Sequence, residues 1–100
     1  MMTDKKALLM ALKQTMDDLF TRCDEVLGEK ADVTYDGSVL TLVLDAGGTA
    51  VINLHQASGQ IWVSSPLSGA HHFSLREDGT WASSSTTLAD VMAADFGVLC

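Results

Sequence analysis

Carboxylate side chains are concentrated near the start of the chain, and such groups can bind a metal cation. Residues 14–36 contain seven acidic and two basic side chains, which gives this segment a net charge of −5. Carboxylate oxygens suit hard cations such as iron, manganese, calcium or magnesium better than they suit soft metals. The seven acids are Asp17, Asp18, Asp24, Glu25, Glu29, Asp32 and Asp36.

The spacing of these acids argues against a compact metal cage. Asp17 and Asp24 are seven residues apart, as are Asp18 and Glu25, and on a helix each pair is separated by roughly 10 Å along the axis. Adjacent acids diverge by about 100° around a helix. We therefore expect any bound cation to be hydrated and weakly held. The alternative interpretation is an ordinary solvated helix surface.

The histidines fit surface positions better than a metal or catalytic centre. His71 and His72 are neighbours on a predicted strand, so their side chains point to opposite faces of a sheet, and His55 lies in or near a turn. The sequence contains neither Cys-x-x-Cys nor His-Glu-x-x-His, so a structural zinc site is not expected. A hydrolytic triad is not expected either, because no Gly-x-Ser-x-Gly segment accompanies the serines and aspartates.

The composition indicates one acidic, folded domain spanning residues 1–100. The chain carries 13 acidic and 6 basic side chains, a net charge of −7, and 47% of its residues are hydrophobic. Phosphate binding requires a basic patch, so we expect no nucleic acid partner and no attraction to an anionic membrane. Apolar runs are too short to span a bilayer. Two cysteines fit a reducing compartment better than a disulfide scaffold.

Hydrophobic periodicity predicts a helix over residues 4–27, closed by Gly28. Its apolar stripe has helical spacing and consists of Leu8, Leu12, Met16, Leu19, Cys23 and Val26. A second apolar face, formed by Leu88, Val91, Met92 and Phe96, predicts a second helix that ends at Gly97 and carries Asp90 in its first turn. Its candidate N-caps are Ser85, Thr86 and Thr87.

Short β-rich segments separated by turns of a few residues predict an antiparallel meander of about six strands between the helices. They cover residues 33–35, 38–44, 49–54, 60–64, 71–75 and 80–82. Both helices can bury their stripes against one face of this sheet. The prediction is an α+β fold, a two-layer α-β sandwich with one sheet face left open.

The middle of the chain is almost uncharged and places a tryptophan on that open face. Residues 37–75 contain one charged side chain, Asp45. If Ile61 and Val63 enter the core, alternation directs Trp62 outward, and truncating an exposed Trp62 to alanine should cost no more than about 1 kcal/mol of stability. The polar residues expected around it are Asn53, Gln60 and His72. A tryptophan in such surroundings is typical of a protein-binding surface.

These segments resemble the frataxin family. The similarity covers about residues 12–96 and is carried by Asn53, by Gln-Ile-Trp seven residues later, and by the following Ser-Ser-Pro-Leu-Ser-Gly and Asp-Gly-Thr-Trp segments. The resemblance implies an α-β sandwich that acts in iron–sulfur cluster assembly. It also implies an acidic surface, formed by a helix and an edge of the sheet, that binds iron. A face of the sheet is implied to dock on a complex of cysteine desulfurase and iron–sulfur scaffold protein.

Carried over by position, the metal-binding residues are the seven acids named above. The partner-binding residues are Asn53, Gln60 and Trp62, to which we add His72 from its strand position. The family often has Asn-Lys-Gln or Asn-Arg-Gln at residues 53–55, and its eukaryotic members commonly have Lys-Arg at residues 71–72. Because histidines stand at residues 71–72 in this chain, we expect docking to depend on pH.

The resulting expectation is an iron-binding protein that regulates iron–sulfur cluster assembly or supplies iron to it. We expect weakly bound iron as the cofactor, no conventional active site and a monomer in the absence of iron, although ferroxidase activity is attributed to the family. The expected location is the bacterial cytoplasm, or the mitochondrial matrix for a processed eukaryotic form. Alternatives are a protein-interaction module with incidental iron binding and an iron-storage or ferroxidase assembly.

Overall fold

The computed structural model describes residues 5–99, in which two helices flank six strands. The elements are α1 (Lys5–Leu27), β1 (Ala31–Tyr35), β2 (Val39–Leu44), β3 (Thr49–His55), β4 (Gln60–Ser65), β5 (Gly69–Leu75), β6 (Trp81–Ala82) and α2 (Leu88–Phe96). The strands form one antiparallel sheet in chain order. The predicted α+β sandwich is confirmed. The predicted start of the first helix at residue 4 and the predicted domain ends at residues 1 and 100 lie outside the described residues.

Helix α1 packs on the sheet through a buried stripe with spacings of three and four residues. The stripe consists of Leu12, Met16, Leu19, Cys23 and Leu27. The prediction for Val26 was wrong, because this side chain is 45% exposed. Leu27, four residues after Cys23, continues the stripe, whereas Val26 is rotated away by about 100°. Leu8 is half-buried. Gly28 follows the helix but is not among the glycines with positive φ, so it does not form a left-handed cap.

The sheet buries the face that it turns toward the helices. Its buried side chains include Leu40, Leu42, Ala50, Ile52, Ile61, Val63 and Phe73. The antiparallel register places Ile52 opposite Val63 and Ile61 opposite Phe73, so large apolar residues meet across neighbouring strands. Ile61 and Val63 are 0% and 2% exposed, which confirms the alternation predicted for β4.

Helix α2 has well-defined caps at both ends. Of the three predicted candidates, Thr87 is the N-cap, and its hydroxyl accepts the backbone N–H of Asp90. Gly97 has a φ of 68° and donates its N–H to the carbonyl of Ala93, which is the left-handed ending that glycine permits. Within residues 5–99, no helix has both the length and the apolar character needed to cross a bilayer.

Trp81 connects the edge of the sheet to α1. The side chain is 7% exposed, and its indole N–H donates to the hydroxyl of Thr15 at 3.0 Å. A buried indole with a hydrogen-bond partner is an anchor for the core. The two tryptophans of the chain therefore occupy opposite environments, since Trp62 lies outside this core.

The β2–β3 and β4–β5 turns contact each other. Alanine substitutions at two neighbouring glycines of the β2–β3 turn can test this contact. A Cβ added to Gly48 (φ +90°) would lie 2.8 Å from Pro66 Cβ, whereas a Cβ added to Gly47 (φ +109°) would meet nothing within 4 Å. Gly47→Ala should cost about 1 kcal/mol through its positive φ. Gly48→Ala should cost about 1–3 kcal/mol more through overpacking. Urea unfolding measures both, and equal losses would contradict the contact.

Candidate functional site

The acidic surface consists of the seven acids Asp17, Asp18, Asp24, Glu25, Glu29, Asp32 and Asp36, and all of them are exposed. Four lie on α1, one lies in the turn that follows it, one lies on β1 and one follows β1. The surface thus runs from α1 onto the edge strand of the sheet. This placement agrees with the helix-and-edge arrangement that the resemblance implies.

Asp17 and Asp18 point to different sides of α1. Asp17 accepts a hydrogen bond from the Tyr35 hydroxyl at 2.7 Å, so it lies beside β1. Asp18 lines a groove formed with α2 and the turn before β6, and Arg22 lines the same groove. Residues seven apart share one side of a helix, so Asp24 and Glu25 continue these two directions. The acidic surface therefore has two strips rather than one.

Tyr35 fixes the strip nearer to the sheet. Its hydroxyl is shared between Asp17 and the carbonyl of Gly37, at 2.7 and 3.3 Å, and its ring lies 5.1 Å from that of Phe20. Partial burial of the phenol, together with the Asp17 carboxylate, raises the pKa of Tyr35 to about 12. Tyr35 is therefore a protonated donor at neutral pH, and it holds Asp17 against β1.

Asp36 has a structural role in the β1–β2 turn, where the Asp36-Gly37 pair is a sequence signal for a tight turn. Its Oδ1 accepts the backbone N–H groups of Ser38 and Val39 at 2.9 and 2.8 Å. These two hydrogen bonds hold the pKa of Asp36 below its usual value, because they favour the charged carboxylate. Asp36 thus shapes the β1–β2 turn while contributing a negative charge to the acidic surface.

The donor set of the acidic surface fits a hydrated cation. Across residues 5–99, no group of three His, Cys, Asp or Glu side chains is arranged to hold a metal ion. Separated, solvent-facing carboxylates can hold a hard cation such as iron through its water shell. The assignment of the seven acids as iron ligands stays a prediction.

Trp62 lies on the open face of the sheet, as predicted, but it is half-buried rather than exposed. His55 stacks on its ring with centroids 3.7 Å apart and planes 6° apart. His72 stacks on it with centroids 4.1 Å apart and planes 18° apart. Because β3 and β5 flank β4, the two imidazoles approach the indole from opposite sides. We call His55, Trp62 and His72 the stacked rings.

The predicted partner-binding residues come together around the stacked rings. Asn53 is the register partner of Trp62, and Trp62 is the register partner of His72. The indole N–H donates to Gln60 at 2.8 Å, and the Gln60 amide donates to Ser74 at 3.0 Å. Their role in binding a partner stays a prediction. Sequence reasoning missed His55, although its alternation with Asn53 on one strand could have placed it on this face.

The open face carries no fixed charge on β2–β5, strands that the structure describes in full. Its outward side chains on these strands are Val39, Thr41, Val43, Thr49, Val51, Asn53, His55, Gln60, Trp62, Ser64, Ala70, His72 and Ser74. This set contains no aspartate, glutamate, lysine or arginine. On β2–β5, hydrogen bonds and apolar contact, rather than ion pairs, are therefore what the open face offers to a partner.

A serine, a histidine and an aspartate do meet, at the β4–β5 turn. The Ser68 hydroxyl lies 2.7 Å from His71 Nε2 and donates to Asp95, which also accepts the Ser65 hydroxyl. Because the Ser68 proton is directed at the carboxylate, His71 donates to the serine oxygen. A hydrolytic base must instead accept the serine proton. The cluster therefore joins the turn to α2.

Similarity to known proteins agrees with this geometry. A family model described as a frataxin-like domain matches residues 2–100. The chain belongs to the frataxin family. It is 36% identical over 91 residues to the mitochondrial frataxin homolog of Schizosaccharomyces pombe. The aligned region covers 88% of this chain and 56% of that protein. It is 35% identical over 78 residues to the iron-sulfur cluster assembly protein CyaY of Vibrio cholerae, covering 75% of this chain and 73% of that protein.

A solved frataxin shares the fold at moderate identity. The trimeric frataxin of Saccharomyces cerevisiae, described as complexed with ferrous, superposes with a TM-score of 0.76 at 32% identity, over 87% of this frataxin and 82% of that chain. The expectation of a monomer stays a prediction beside that trimer. This frataxin spans 56% of the S. pombe protein's length and 57% and 37% of the length of two other mitochondrial relatives.

Replacing Tyr35 by phenylalanine should change how stability depends on alkaline pH. The folded pKa of about 12 exceeds the ordinary value of 10.0, so the protonated phenol stabilises the folded state fully below pH 10, and this contribution is lost as pH rises toward 12. Tyr35→Phe should lower stability at neutral pH by about 1 kcal/mol or less and should flatten the alkaline decline. Urea unfolding across pH measures both effects.

Tyr35 is the single tyrosine of the chain, so phenolate absorbance reports its ionisation directly. As a control, Asp17→Asn keeps an acceptor oxygen but removes the charge, and it should lower the pKa of Tyr35. A phenolate that forms near pH 10 in the folded native protein would contradict the Asp17–Tyr35 contact.

Proposed function

We propose that this frataxin acts in iron–sulfur cluster assembly, docking through its open sheet face on a cysteine desulfurase–scaffold complex and holding iron weakly on its acidic surface. Family membership, with a bacterial relative named for iron–sulfur cluster assembly, supports the process. The observation that carries the docking role is the alignment of Asn53, Trp62 and His72 in one row across β3, β4 and β5. They lie on the face that neither helix covers.

Trp62 is the expected centre of the docking surface. Tryptophan is enriched among the residues that dominate binding energy at interfaces, and such residues lie near the middle of the contact. Trp62 stands on β4, with paired strands on both sides, and amide and hydroxyl groups surround it. Polar groups at the rim of an interface exclude water from its centre. Gln60, Asn53 and Ser74 are placed for that task.

The acidic surface is the expected iron-binding region. Its carboxylates face solvent, and Asp17 and Asp36 are held in place by Tyr35 and by the β1–β2 turn. Preformed but separated carboxylates favour weak binding, because the cation keeps much of its water. The yeast structure described as complexed with ferrous supports iron as the cation. A weakly held ion can be released to a partner.

The compartment that we propose depends on whether the chain comes from a eukaryote or a bacterium. The relatives from fission yeast and nematode are named mitochondrial, and the Vibrio relative is bacterial. The mitochondrial matrix or the bacterial cytoplasm is therefore the compartment in which this frataxin would meet the assembly complex.

Trp62→Ala should separate docking from folding. The substitution removes two ring stacks from a half-buried side chain, so it should cost about 1–2 kcal/mol of stability, somewhat more than a fully exposed tryptophan would cost. Affinity for a reconstituted desulfurase–scaffold complex, measured by calorimetry, should fall about thirtyfold or more. Trp81→Ala is the stability control, because losing that buried indole should cost about 3–5 kcal/mol. Undiminished affinity of Trp62→Ala would refute docking through the open face.

Neutralising four acids of α1 should abolish most iron binding. The combined variant carries Asp17→Asn, Asp18→Asn, Asp24→Asn and Glu25→Gln, and asparagine at residue 17 still offers Tyr35 an acceptor. Anaerobic titration with ferrous iron should show the loss, whereas stability should stay equal or rise because like charges no longer repel one another.

A control variant removes three negative charges elsewhere, through Asp45→Asn, Glu77→Gln and Asp90→Asn, and should retain iron affinity. Retained affinity in the α1 variant would shift the assignment to the histidines. If that variant loses iron but still modulates cluster-assembly rate in full, the protein-interaction module becomes the better description. Iron-dependent growth in sedimentation coefficient would indicate a storage assembly.

A further inference from the structure

We propose that His55 and His72 are positioning residues that hold the Trp62 indole in the orientation needed for docking. This inference rests on the docking role proposed above for the open face. Neither histidine acts alone in this arrangement, because each covers one side of the same ring. The two imidazoles and the indole form a single layered unit across β3, β4 and β5.

The geometry of the stacked rings restrains the indole on both sides. The planes of His55 and Trp62 differ by 6°, and those of Trp62 and His72 differ by 18°. Rotating the indole about its side-chain bonds would break both stacks at once. Offset or parallel aromatic contact is favourable beyond simple burial, so the indole prefers this stacked orientation before any partner arrives.

Hydrogen bonds restrain the edges of the stacked rings. The indole N–H donates to Gln60, whose amide is held in turn by Ser74. His55 Nδ1 lies 2.7 Å from the Ser58 hydroxyl, which fixes the imidazole at the β3–β4 turn. Ordering a side chain at an interface lowers affinity when the ordering occurs during binding. In this protein, the ring stacks and hydrogen bonds order the indole before a partner binds.

The stacking also determines which part of Trp62 a partner can reach. Both faces of the indole are covered and its N–H is engaged, so a partner meets the ring edge and the outer faces of the imidazoles. A partner cation or aromatic ring cannot stack directly on the indole. The partner that fits is therefore a protein cleft that receives an aromatic edge, with polar groups at its rim.

Single and double substitutions test the positioning role. His55→Ala and His72→Ala should each weaken docking about two- to tenfold, the range that one aromatic stack represents. The double variant should dock more weakly than either single variant. His55→Phe and His72→Phe keep a flat ring and should restore most of the affinity. His71→Ala is the matched control, since His71 lies next to His72 but points to the opposite face, where it bonds to Ser68.

A second measurement reports the mobility of the Trp62 indole in the absence of any partner. The Trp62 indole N–H should exchange with solvent faster, and show a lower order parameter by NMR, in the His55→Ala and His72→Ala variants. The Phe variants and His71→Ala should match the native protein. Urea unfolding confirms that each variant is folded at the temperature of the measurement.

The outcomes distinguish the inference from the proposed function. If Trp62→Ala docks as tightly as the native protein, the docking role of the open face fails and the inference fails with it. If Trp62→Ala loses docking while both His→Ala variants keep native affinity, the inference alone is overturned. It is also overturned if the Phe variants are as weak as the Ala variants, because the imidazoles would then bind the partner themselves.

Discussion

Burial of one sheet face against two helices is the constraint on which both candidate surfaces depend. Side chains alternate along a strand, so each residue that α1 or α2 covers forces its neighbours outward. Ile61 and Val63 are buried, and Trp62 between them has no other place than the open face. The antiparallel register then aligns Asn53 and His72 with it. The proposed docking surface is thus the complement of the core.

The same constraint places the acidic side chains of α1 away from the stacked rings on the open face. Helix α1 turns its apolar stripe to the sheet and its acids to solvent, so negative charge collects on the helix side and the adjoining edge. Net repulsion among these acids lowers stability, and part of it is offset where Tyr35 and the β1–β2 turn bind Asp17 and Asp36. Acids that could hold a cation therefore also contribute to local structure.

Sequence reasoning located the elements well because periodicity and turn residues are local signals, and it failed where contacts depend on tertiary placement. Val26 and Leu27 are both apolar, and the rotation of α1 on the sheet decides that Leu27 is the one buried. The contact of Ser68 with Asp95 joins residues 27 apart in the chain. The stack of His55 on Trp62 is diagonal across two strands, so it depends on the hairpin register that the sequence left open.

The two candidate surfaces are distinct in chemistry, yet they adjoin at the β1–β2 turn. Asp36 accepts the N–H of Val39, and Val39 is the register partner of Asn53, which is itself opposite Trp62. Two strand spacings separate Val39 from Trp62, a distance of about 10 Å. A cation held at this end of the acidic surface would lie beside a partner docked on Trp62, whereas one held near Asp18 would lie across α1, beside the groove with α2. Under the proposed function, the strip anchored by Tyr35 and Asp36 is therefore the nearer of the two acidic strips to a docked partner.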